Sequence, residues 1–456
     1  MAKAKIVFVC NNCGYESPKW AGKCPECGRW NSFEEAEIAP ASARTSERSS
    51  RNTPSLLPDI EEGLEDRRQT GIGELDRVLG GGIIPASVIL IAGDPGIGKS
   101  TLLLQMGAAL AKKDTSVLYV SGEESLQQIR NRARRLELEK IPLHLMAETE
   151  LENILYQIEA TRPQMVIVDS IQAVFSQNIA GAPGNVGQIR ECASRLFRAA
   201  KENNWTLFIV GHITKEGSIA GPKILEHMVD VVIYFEGDNL YRYRILRSLK
   251  NRFGATNEIG LFLMEKSGLT EVGNPSSLFL SHNGKAQTGA SVVCSFEGSR
   301  PILAEVQALV SRSNYGVPQR TVSGFDHRRL ALLLAILEKH CGLNFGYSDV
   351  FIKIAGGLKI EDPGIDLGII MAISSSFRDM PLADHSIYIG EIGLNGDVRP
   401  VSQLDRRIQE AAKLGFKKIY IPNTGDGKTF AQSAGASRLI GVDNVAELIH
   451  GTSPKG

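Results

Sequence analysis

A glycine-rich segment beginning at Gly93 has the residue types and spacing of a phosphate-binding loop. It fits G-x-x-x-x-G-K-[ST] in full and lies between a short apolar strand and a leucine-rich helix, as this loop requires. Glycines allow backbone N–H groups to surround phosphates, Lys99 would reach the β- and γ-phosphates, and the Ser100 hydroxyl would bind Mg²⁺. The segment therefore predicts an ATP site with Mg²⁺ as cofactor. Its predicted contact residues are Gly93, Asp94, Pro95, Gly96, Ile97, Gly98, Lys99, Ser100 and Thr101.

Acidic residues that could complete this site follow two other predicted strands. Asp169 ends an apolar run and is expected in the outer shell of the metal; the alternative is a buried strand that happens to end in aspartate. Glu123 and Glu124 follow a strand that should neighbour the nucleotide strand, and a general base must orient water towards the γ-phosphate. Glu123 is the first choice and Glu124 the second, although either carboxylate could instead stabilise a helix N-terminus.

Four cysteines near the N-terminus form two Cys-x-x-Cys pairs. Cys10, Cys13, Cys24 and Cys27 could place four thiolates around one Zn²⁺ ion. A module of under ~40 residues rarely folds on its core alone, whereas bound zinc could supply about 10–16 kcal/mol of apparent folding free energy. The spacing predicts a closed, structural zinc site, with a redox-active dithiol pair as the alternative.

The chain that must position these groups divides into a zinc module, a linker and two α/β domains. The predicted ranges are residues 1–37, 38–55, 56–272 and 273–456. The linker is rich in Ser, Arg and Pro and has no hydrophobic period. In residues 56–272 short apolar runs alternate with amphipathic segments, which favours a largely parallel sheet covered by helices on both faces. A richer content of small residues and glycine marks the last domain.

The apolar patterns also predict individual elements. In the first α/β domain we expect strands at 87–92, 117–121, 165–169, 207–211, 231–235, 241–248 and 260–265, with helices at 99–112, 125–137 and 186–202. In the second we expect strands at 304–310, 350–354, 387–390 and 418–421, with helices at 327–340 and 404–414.

Composition excludes some classes of protein. Hydrophobic residues make up 43% and charged residues 22% of the chain, which is ordinary for a globular protein. No apolar run approaches the ~20 residues of a membrane span, and the N-terminus lacks a signal-peptide core, so we expect a cytoplasmic protein without a membrane partner. The formal net charge is zero, so a nucleic acid would have to be bound by local basic patches.

These motifs occur together with Lys250-Asn-Arg-Phe-Gly254, and the combination closely resembles the RadA (Sms) family of bacterial DNA-recombination proteins. The resemblance covers the whole chain and implies a zinc ribbon, a RecA-like P-loop ATPase core, a Lon protease-like C-terminal domain and a ring-shaped homohexamer. It also implies a DNA-dependent ATPase and helicase that drives branch migration of recombination intermediates in homologous recombination and DNA repair. The implied partners are single-stranded and branched DNA, a RecA-type recombinase and a replicative helicase.

The similarity to RecA-type ATPases implies roles for further residues. Glu123 matches the catalytic glutamate, His212 is similar to a γ-phosphate sensor, and residues 214–222 resemble a DNA-contacting loop, with an ordinary surface loop as the alternative. Lys250 and Arg252 match cations that reach the nucleotide of the neighbouring subunit, where a trans cation can be worth ~10³–10⁵ in rate. Alternatively they contact DNA phosphates, or lie on a solvated charged strand. The basic stretch before them contains Arg242, Arg244 and Arg247.

The last domain resembles the Lon protease domain around residues 357–368 and 390–400. Lon uses a serine nucleophile activated by a lysine, but Asp366 and Asp405 stand at the matching positions. We therefore expect a proteolytically inactive scaffold that supports ring assembly and adds basic surface for DNA. The candidate residues of that surface are Arg300, Arg312, Arg320, Arg328, Arg329 and Lys353.

Two other functions compete with the motor hypothesis. One is a regulatory, clock-like RecA-fold ATPase or kinase that acts on proteins, although the four cysteines and the Lys250–Gly254 motif do not favour it. The other is a nucleotide-switched scaffold that binds recombination partners through the zinc module and hydrolyses ATP slowly.

Overall fold

The structure, a computed structural model, describes residues 5–10, 15–25, 28–38, 67–179, 181–212, 224–237, 243–256, 258–280, 287–313, 316–423 and 430–451. Cys13, Cys27, the predicted DNA-contacting loop and all but the first residue of the predicted linker lie outside these ranges. The chain divides into two compact units, Met1–Glu271 and Val272–Gly456. No helix within the described ranges has the length and apolar character that crossing a bilayer requires.

The N-terminal ribbon is a small antiparallel sheet. Its strands are β1 (Lys5–Cys10), β2 (Glu16–Ser17) and β3 (Phe33–Ile38), with β1 in the centre. The two cysteine knuckles close in the same way, because the N–H of Cys10 donates to Tyr15 O and that of Cys24 to Arg29 O, each at 2.9 Å. Cys10 and Cys24 are both buried in one small core with Phe33. The fold thus brings the first cysteine of each pair together.

The rest of the first unit is an α/β sheet with nine strands among the described residues. These are β4 (Val88–Gly93), β5 (Val117–Ser121), β6 (His144–Ala147), β7 (Met165–Asp169), β8 (Thr206–His212), β9 (Val231–Glu236), β10 (Tyr243–Asn251), β11 (Ile259–Glu265) and β12 (Gly268–Glu271). Their order is β12-β11-β10-β9-β4-β8-β7-β5-β6. Strands β4 to β9 pair in parallel, and β10 to β12 extend the sheet antiparallel.

Helices cover both faces of this sheet. Successive side chains of its strands point to opposite faces, and each face has its own apolar core. They are α1 (Gly73–Val78), α2 (Lys99–Ala111), α3 (Leu126–Arg135), α4 (Leu151–Thr161), α5 (Val186–Glu202) and α6 (Ile224–Met228). In β4, Ile89 and Ile91 join the core beneath α2 and α3, whereas Val88 and Leu90 join the core beneath α4 and α5. Burial on both faces is why β4 is apolar along its length.

The second unit has its own sheets and core. Its strands are β13 (Ala290–Glu297), β14 (Arg300–Arg312), β15 (Arg320–Ser323), β16 (Ser348–Ile354), β17 (Ser386–Tyr388), β18 (Glu391–Ile392), β19 (Val398–Arg399), β20 (Lys418–Pro422) and β21 (Arg438–Val442). Its helices are α7 (Ser276–Phe279), α8 (His327–Cys341), α9 (Asp366–Arg378), α10 (Leu404–Lys413), α11 (Ala431–Ala434) and α12 (Val445–Gly451). The sheet orders are β13-β14-β16-β15, β17-β20-β21 and β18-β19.

All strands and helices predicted above are confirmed, with small shifts at their ends. Among the elements that the patterns did not predict are β6 and α4 at the far edge of the nucleotide-binding sheet, β12 at its other edge, and β13, β15, β21, α9 and α12 in the second unit. Helix α9 was missed because ten of its residues, Asp366 to Ser375, are all buried. A helix that is buried all round has no amphipathic period from which it could be predicted.

Candidate nucleotide site and basic turn

The phosphate loop joins the central strand β4 to helix α2. Asp94, Pro95 and Gly96 are exposed at its crest, and a Cβ atom on Gly93 would lie 2.5 Å from the carbonyl oxygen of Phe235 on β9. Gly98, the N-cap of α2, has a φ of 119°, a conformation that side chains disfavour. Glycine is therefore required for strand packing at one end of the loop and for backbone conformation at the other.

Lys99 is 4% exposed and lies within the loop. Its Nζ donates hydrogen bonds to the carbonyl oxygens of Gly93 at 2.7 Å and Asp94 at 2.9 Å. Burial lowers the pKa of Lys99, while the nearby carboxylates of Asp169 and Glu123 oppose that shift. The fold thus brings the predicted phosphate-binding cation close to both predicted acids.

Asp169 ends β7, where it is 7% exposed and accepts a hydrogen bond of 2.5 Å at Oδ2 from the hydroxyl of Tyr119 on β5. Burial, reinforced by the Asp169 carboxylate, raises the pKa of Tyr119 well above its usual value, so its hydroxyl stays protonated and donates. The role of Tyr119 could not be predicted from the sequence, since a tyrosine in an apolar strand carries no sign of a partner 50 residues away.

The two adjacent glutamates have different partners. Glu123 is exposed and its Oε1 accepts a hydrogen bond from the hydroxyl of buried Ser170, the residue after Asp169. Glu124 instead forms an ion pair with Arg132 of α3, and its N–H donates to the Ser121 hydroxyl at 3.0 Å. Only Glu123 is thus tied to the strand end that carries Asp169, while Glu124 is tied to the neighbouring helix.

The two described arginines before the Lys250–Gly254 motif have partners within the first unit. Arg244 is buried, and its guanidinium donates to the carbonyl oxygens of Ile97 in the phosphate loop, at 3.2 Å, and of Tyr243, at 2.9 Å. Arg247 forms an ion pair of 3.4 Å with Glu236. Arg242 lies outside the described residues. The cations of Arg244 and Arg247 therefore support the loop and the sheet.

The Lys250–Gly254 motif forms a turn at the end of β10. The ammonium of Lys250 donates to three carbonyl oxygens around the C-terminus of α6, those of Glu226 (2.8 Å), His227 (3.2 Å) and Val229 (2.8 Å). Burial lowers the pKa of Lys250, and the cation of Arg252 lowers it further. Lys250 is thus engaged within its own chain, so any contact with a neighbouring nucleotide requires these hydrogen bonds to be exchanged.

Arg252 is held by a buried carboxylate that sequence analysis did not single out. Asp230, 4% exposed, precedes β9 and forms ion pairs with Arg252 at 3.5 Å and with Lys201 of α5 at 2.7 Å. Its Oδ2 also accepts a hydrogen bond of 2.9 Å from the N–H of Val88, the first residue of β4. The side chain of Arg252 remains 57% exposed.

Strand register places these groups at opposite edges of the sheet. Gly93 pairs with His212 at the carboxyl end of β8, so the predicted sensor position adjoins the phosphate loop. Asn251 pairs with Val231, which pairs with Ile89, four residues before Gly93. Four residues of a strand span about 13 Å. The basic turn is therefore at the amino edge, away from the phosphate loop of its own chain.

The described cysteines fit a thiolate metal site. Cys10 and Cys24 are buried together, and the matching hydrogen bonds of their knuckles give both pairs the turn that a ribbon site needs. With Cys13 and Cys27, which lie outside the described residues, they could hold one Zn²⁺ ion.

Comparisons with known proteins agree with this arrangement. Three family models match the chain: "AAA domain" over residues 52–218, "Rubredoxin metal binding domain" over 8–35 and "Subunit ChlI of Mg-chelatase" over 308–425. A protein of Bacillus subtilis (strain 168), described as "DNA repair protein RadA", is 51% identical over 455 residues, which cover 98% of this chain and 99% of that protein. A protein of Listeria monocytogenes with the same description is 46% identical over 459 residues, which cover all of both chains.

The chain belongs to the RadA family of DNA repair proteins. It is therefore a DNA repair protein with an ATPase domain. The fold predicted from the sequence is confirmed: an N-terminal zinc ribbon, a RecA-like P-loop ATPase domain and a Lon-like C-terminal domain.

In the Lon-like domain of this RadA-family chain, Asp366 has a specific partner. It is 3% exposed, and Arg329 of α8 donates to its Oδ1 at 2.5 Å and to its Oδ2 at 2.7 Å. Burial raises the pKa of Asp366, and the guanidinium of Arg329 opposes that shift. Asp405, the other matched position, is exposed in the first turn of α10.

Among the predicted basic residues of this domain, some have structural roles. Arg329 donates hydrogen bonds of 2.5 and 2.7 Å to buried Asp366. Its charge is therefore paired within the domain, which does not favour the expectation that it is presented to DNA. Arg320 donates to the carbonyl oxygens of Gln319, Ser348 and Phe345, so its guanidinium supports the chain before and at the start of β16. Arg300 is half-buried, whereas Arg312, Arg328 and Lys353 are exposed.

Replacing Arg329 by alanine should destabilise the second unit. The change leaves Asp366 buried without its cation, which costs about 3 kcal/mol of unfolding free energy in comparable sites. The deficit should be greatest near pH 7 and should shrink as the pH falls through the raised pKa of Asp366, because protonation removes the unpaired charge. Calorimetric unfolding across this pH range would measure it.

The adjacent exposed residue supplies the control. Arg328→Ala should change the unfolding free energy by no more than about 0.5 kcal/mol. Equal losses for the two variants, or a pH-independent deficit for Arg329→Ala, would contradict the assignment.

Proposed function

We propose that this chain is a DNA-dependent ATPase and helicase-type motor that drives branch migration of recombination intermediates in DNA repair. The observation that carries the proposal is the separation of the two charged clusters. The phosphate loop, Asp169 and Glu123 lie at the carboxyl edge of the sheet, while Lys250 and Arg252 lie at the amino edge. Cations at the amino edge can complete a nucleotide site only on another copy, which supports an assembly whose sites lie between subunits.

The distinct partners of the two glutamates support Glu123 as the catalytic base. A base that orients water must be held near the γ-phosphate. The bond from Ser170 places Glu123 beside Asp169, and the Asp169 and Glu123 carboxylates both act on the pKa of Lys99. Glu124 is neutralised by Arg132 and belongs to the start of α3.

In the proposed reaction each group of the loop has one task. Lys99 exchanges its two carbonyl partners for the β- and γ-phosphates, and Tyr119 donates to one oxygen of Asp169, which leaves the other oxygen for the water shell that a bound metal would carry. Mg²⁺, held by Ser100 and through water by Asp169, would neutralise charge on the phosphates. Glu123 accepts a proton from the attacking water, and His212 senses the γ-phosphate from the end of β8.

Lys250 could couple DNA binding to hydrolysis. It holds the C-terminus of α6, a helix that begins at Ile224, directly after the segment predicted to contact DNA. A movement of α6 would change the three hydrogen bonds of Lys250 and with them the position of Arg252 two residues later. The proposed assembly is a ring-shaped homohexamer. Its proposed partners are single-stranded and branched DNA, a RecA-type recombinase and a replicative helicase. The Lon-like domain, with Asp366 paired to Arg329, serves as a scaffold without peptidase activity.

Exchanging each glutamate for glutamine should separate their roles. Glu123→Gln should lower the turnover of ATP about 10²- to 10⁴-fold, because the amide cannot accept the proton of the attacking water, while leaving ATP affinity close to normal. Glu124→Gln should keep most of the turnover, since it loses only an ion pair with α3. Single-turnover hydrolysis and equilibrium ATP binding measure the two effects, and the opposite ranking would assign the base to Glu124.

Mixing two inactive variants tests whether Arg252 acts on a neighbouring copy. Lys99→Ala removes the phosphate cation, and Arg252→Ala removes the trans cation. Mixed assemblies should regain ATPase activity, because some interfaces then combine an intact loop with an intact arginine. No recovery after subunit exchange would argue against the trans role. Lys201→Ala, which also removes an ion pair of Asp230, is the matched control and should stay active alone.

The motor itself is tested with labelled forked DNA. The unaltered protein should unwind the fork with ATP, single-stranded DNA should stimulate its ATPase, and Lys99→Ala should abolish both activities. Equal unwinding by the unaltered protein and Lys99→Ala would defeat the motor. ATP-dependent binding without unwinding or stimulation would instead favour the nucleotide-switched scaffold.

A further inference from the structure

The zinc ribbon exposes two of the three tryptophans of the chain. Trp20 is 56% exposed and Trp30 is 68% exposed, whereas Trp205, in the core of the ATPase domain, is 4% exposed. A large aromatic side chain left in water has a free-energy cost, and two such side chains close together on a small module mark a binding surface.

The two indoles approach the same glycine. A Cβ atom on Gly22 would be 3.8 Å from Cη2 of Trp20 and 3.8 Å from Cζ3 of Trp30. Any side chain at this position would therefore contact both rings. Glycine thus leaves space beside both indoles at one site.

The second zinc knuckle holds this site in place. The backbones of Lys23 and Trp30 form an antiparallel bridge, and the N–H of Asn31 donates to the carbonyl oxygen of Gly22 at 2.8 Å. The same knuckle carries Cys24, which is buried in the ribbon core. The backbone at Gly22 and Trp30 is thus part of the knuckle that the metal site closes, so less backbone entropy is lost when a ligand binds.

Three cationic residues accompany the indoles in the chain. The ammonium of Lys23 lies 5.6 Å from the ring centroid of Trp30, within cation–π range, and Lys19 and Arg29 are exposed next to Trp20 and Trp30. Between residues 17 and 32 these three cations are accompanied by a single carboxylate, that of residue 26. On a chain of zero net charge this is a local basic patch.

Exposed indoles together with cations suit unpaired bases. Every base has a π face that stacks on an aromatic ring, and the phosphates on either side attract lysine and arginine. In a duplex the bases are already stacked on each other and cannot reach an indole, so the surface should discriminate against double strands. An acidic protein surface would satisfy the cations but would leave the two open rings without stacking partners.

We propose that the zinc ribbon binds single-stranded DNA by stacking unpaired bases on Trp20 and Trp30, while Lys19, Lys23 and Arg29 contact the phosphates. This inference rests on the proposed function as a DNA motor and names the part of the chain that captures the unpaired strand. Binding at the ribbon requires neither ATP nor the phosphate loop.

Intrinsic fluorescence of the full-length protein reports on this surface directly. A thymidine oligonucleotide added without nucleotide should quench the emission of Trp20 and Trp30, and a duplex of equal length should quench it much less. Each of Trp20→Ala and Trp30→Ala should weaken binding about five- to a hundredfold, the usual range for loss of one stacked base. Trp20→Phe and Trp30→Phe, which keep a ring, should retain part of the affinity.

Two controls separate stacking from loss of structure. Each variant must retain its zinc, measured by metal analysis, and Tyr156→Ala removes a 66% exposed aromatic ring from helix α4 and should bind normally. Lys23→Gln should reduce the salt dependence of binding, because one phosphate contact is lost.

Lys99→Ala keeps this test independent of the motor. Quenching of the Lys99→Ala emission by DNA, together with a failure of the unaltered protein to unwind forked DNA, would support the ribbon site and contradict the motor. Unchanged tryptophan emission, or normal affinity of zinc-retaining Trp20→Ala and Trp30→Ala, would overturn the ribbon site and assign the surface to a protein partner.

Discussion

The pairing of β4 with β8 on one side and β9 on the other determines the position of each charged group in the ATPase domain. Parallel pairing brings the carboxyl ends of β4, β5, β7 and β8 to one edge, where the phosphate loop, Glu123, Asp169 and His212 follow their strands. The antiparallel return through β10 takes Lys250 and Arg252 to the other edge. A single sheet thereby presents a nucleotide-binding edge and a basic edge, which successive subunits of a ring could bring together.

Buried carboxylates in both units are each held by a specific donor. Tyr119 donates to Asp169, Lys201 and Arg252 pair with Asp230, and Arg329 pairs with Asp366. A carboxylate removed from water needs such partners, because its charge is otherwise poorly solvated. At Asp169 the donor orients a group proposed to act on the metal, whereas at Asp366 the ion pair joins helices α8 and α9 of the second unit. The same physical requirement thus applies to a proposed site in one domain and to a buried ion pair in the other.

The ribbon depends on its metal-binding turns in place of a large hydrophobic core. Its described core contains Cys10, Cys24 and Phe33, which is far too little apolar surface to order a module by itself. Because the knuckle that carries Cys24 also holds Trp30 and Gly22, closing the metal site would order the indoles as well. Stability and the proposed stacking surface therefore have one cause.

The sequence by itself determined the features that depend on neighbouring residues: the phosphate loop, the two cysteine pairs, Asp169 at the end of an apolar run, and all strands of the parallel sheet except β6. Spacing and periodicity are local, so these could be predicted. The choice between Glu123 and Glu124, and the partner of Lys250, could not. Tyr119 meets Asp169, Arg244 meets Ile97, and Lys250 meets the end of α6 only after distant strands pair. The tertiary structure alone decided these contacts, because a hydrogen bond between remote side chains depends on sheet register, and register comes from packing over the whole domain.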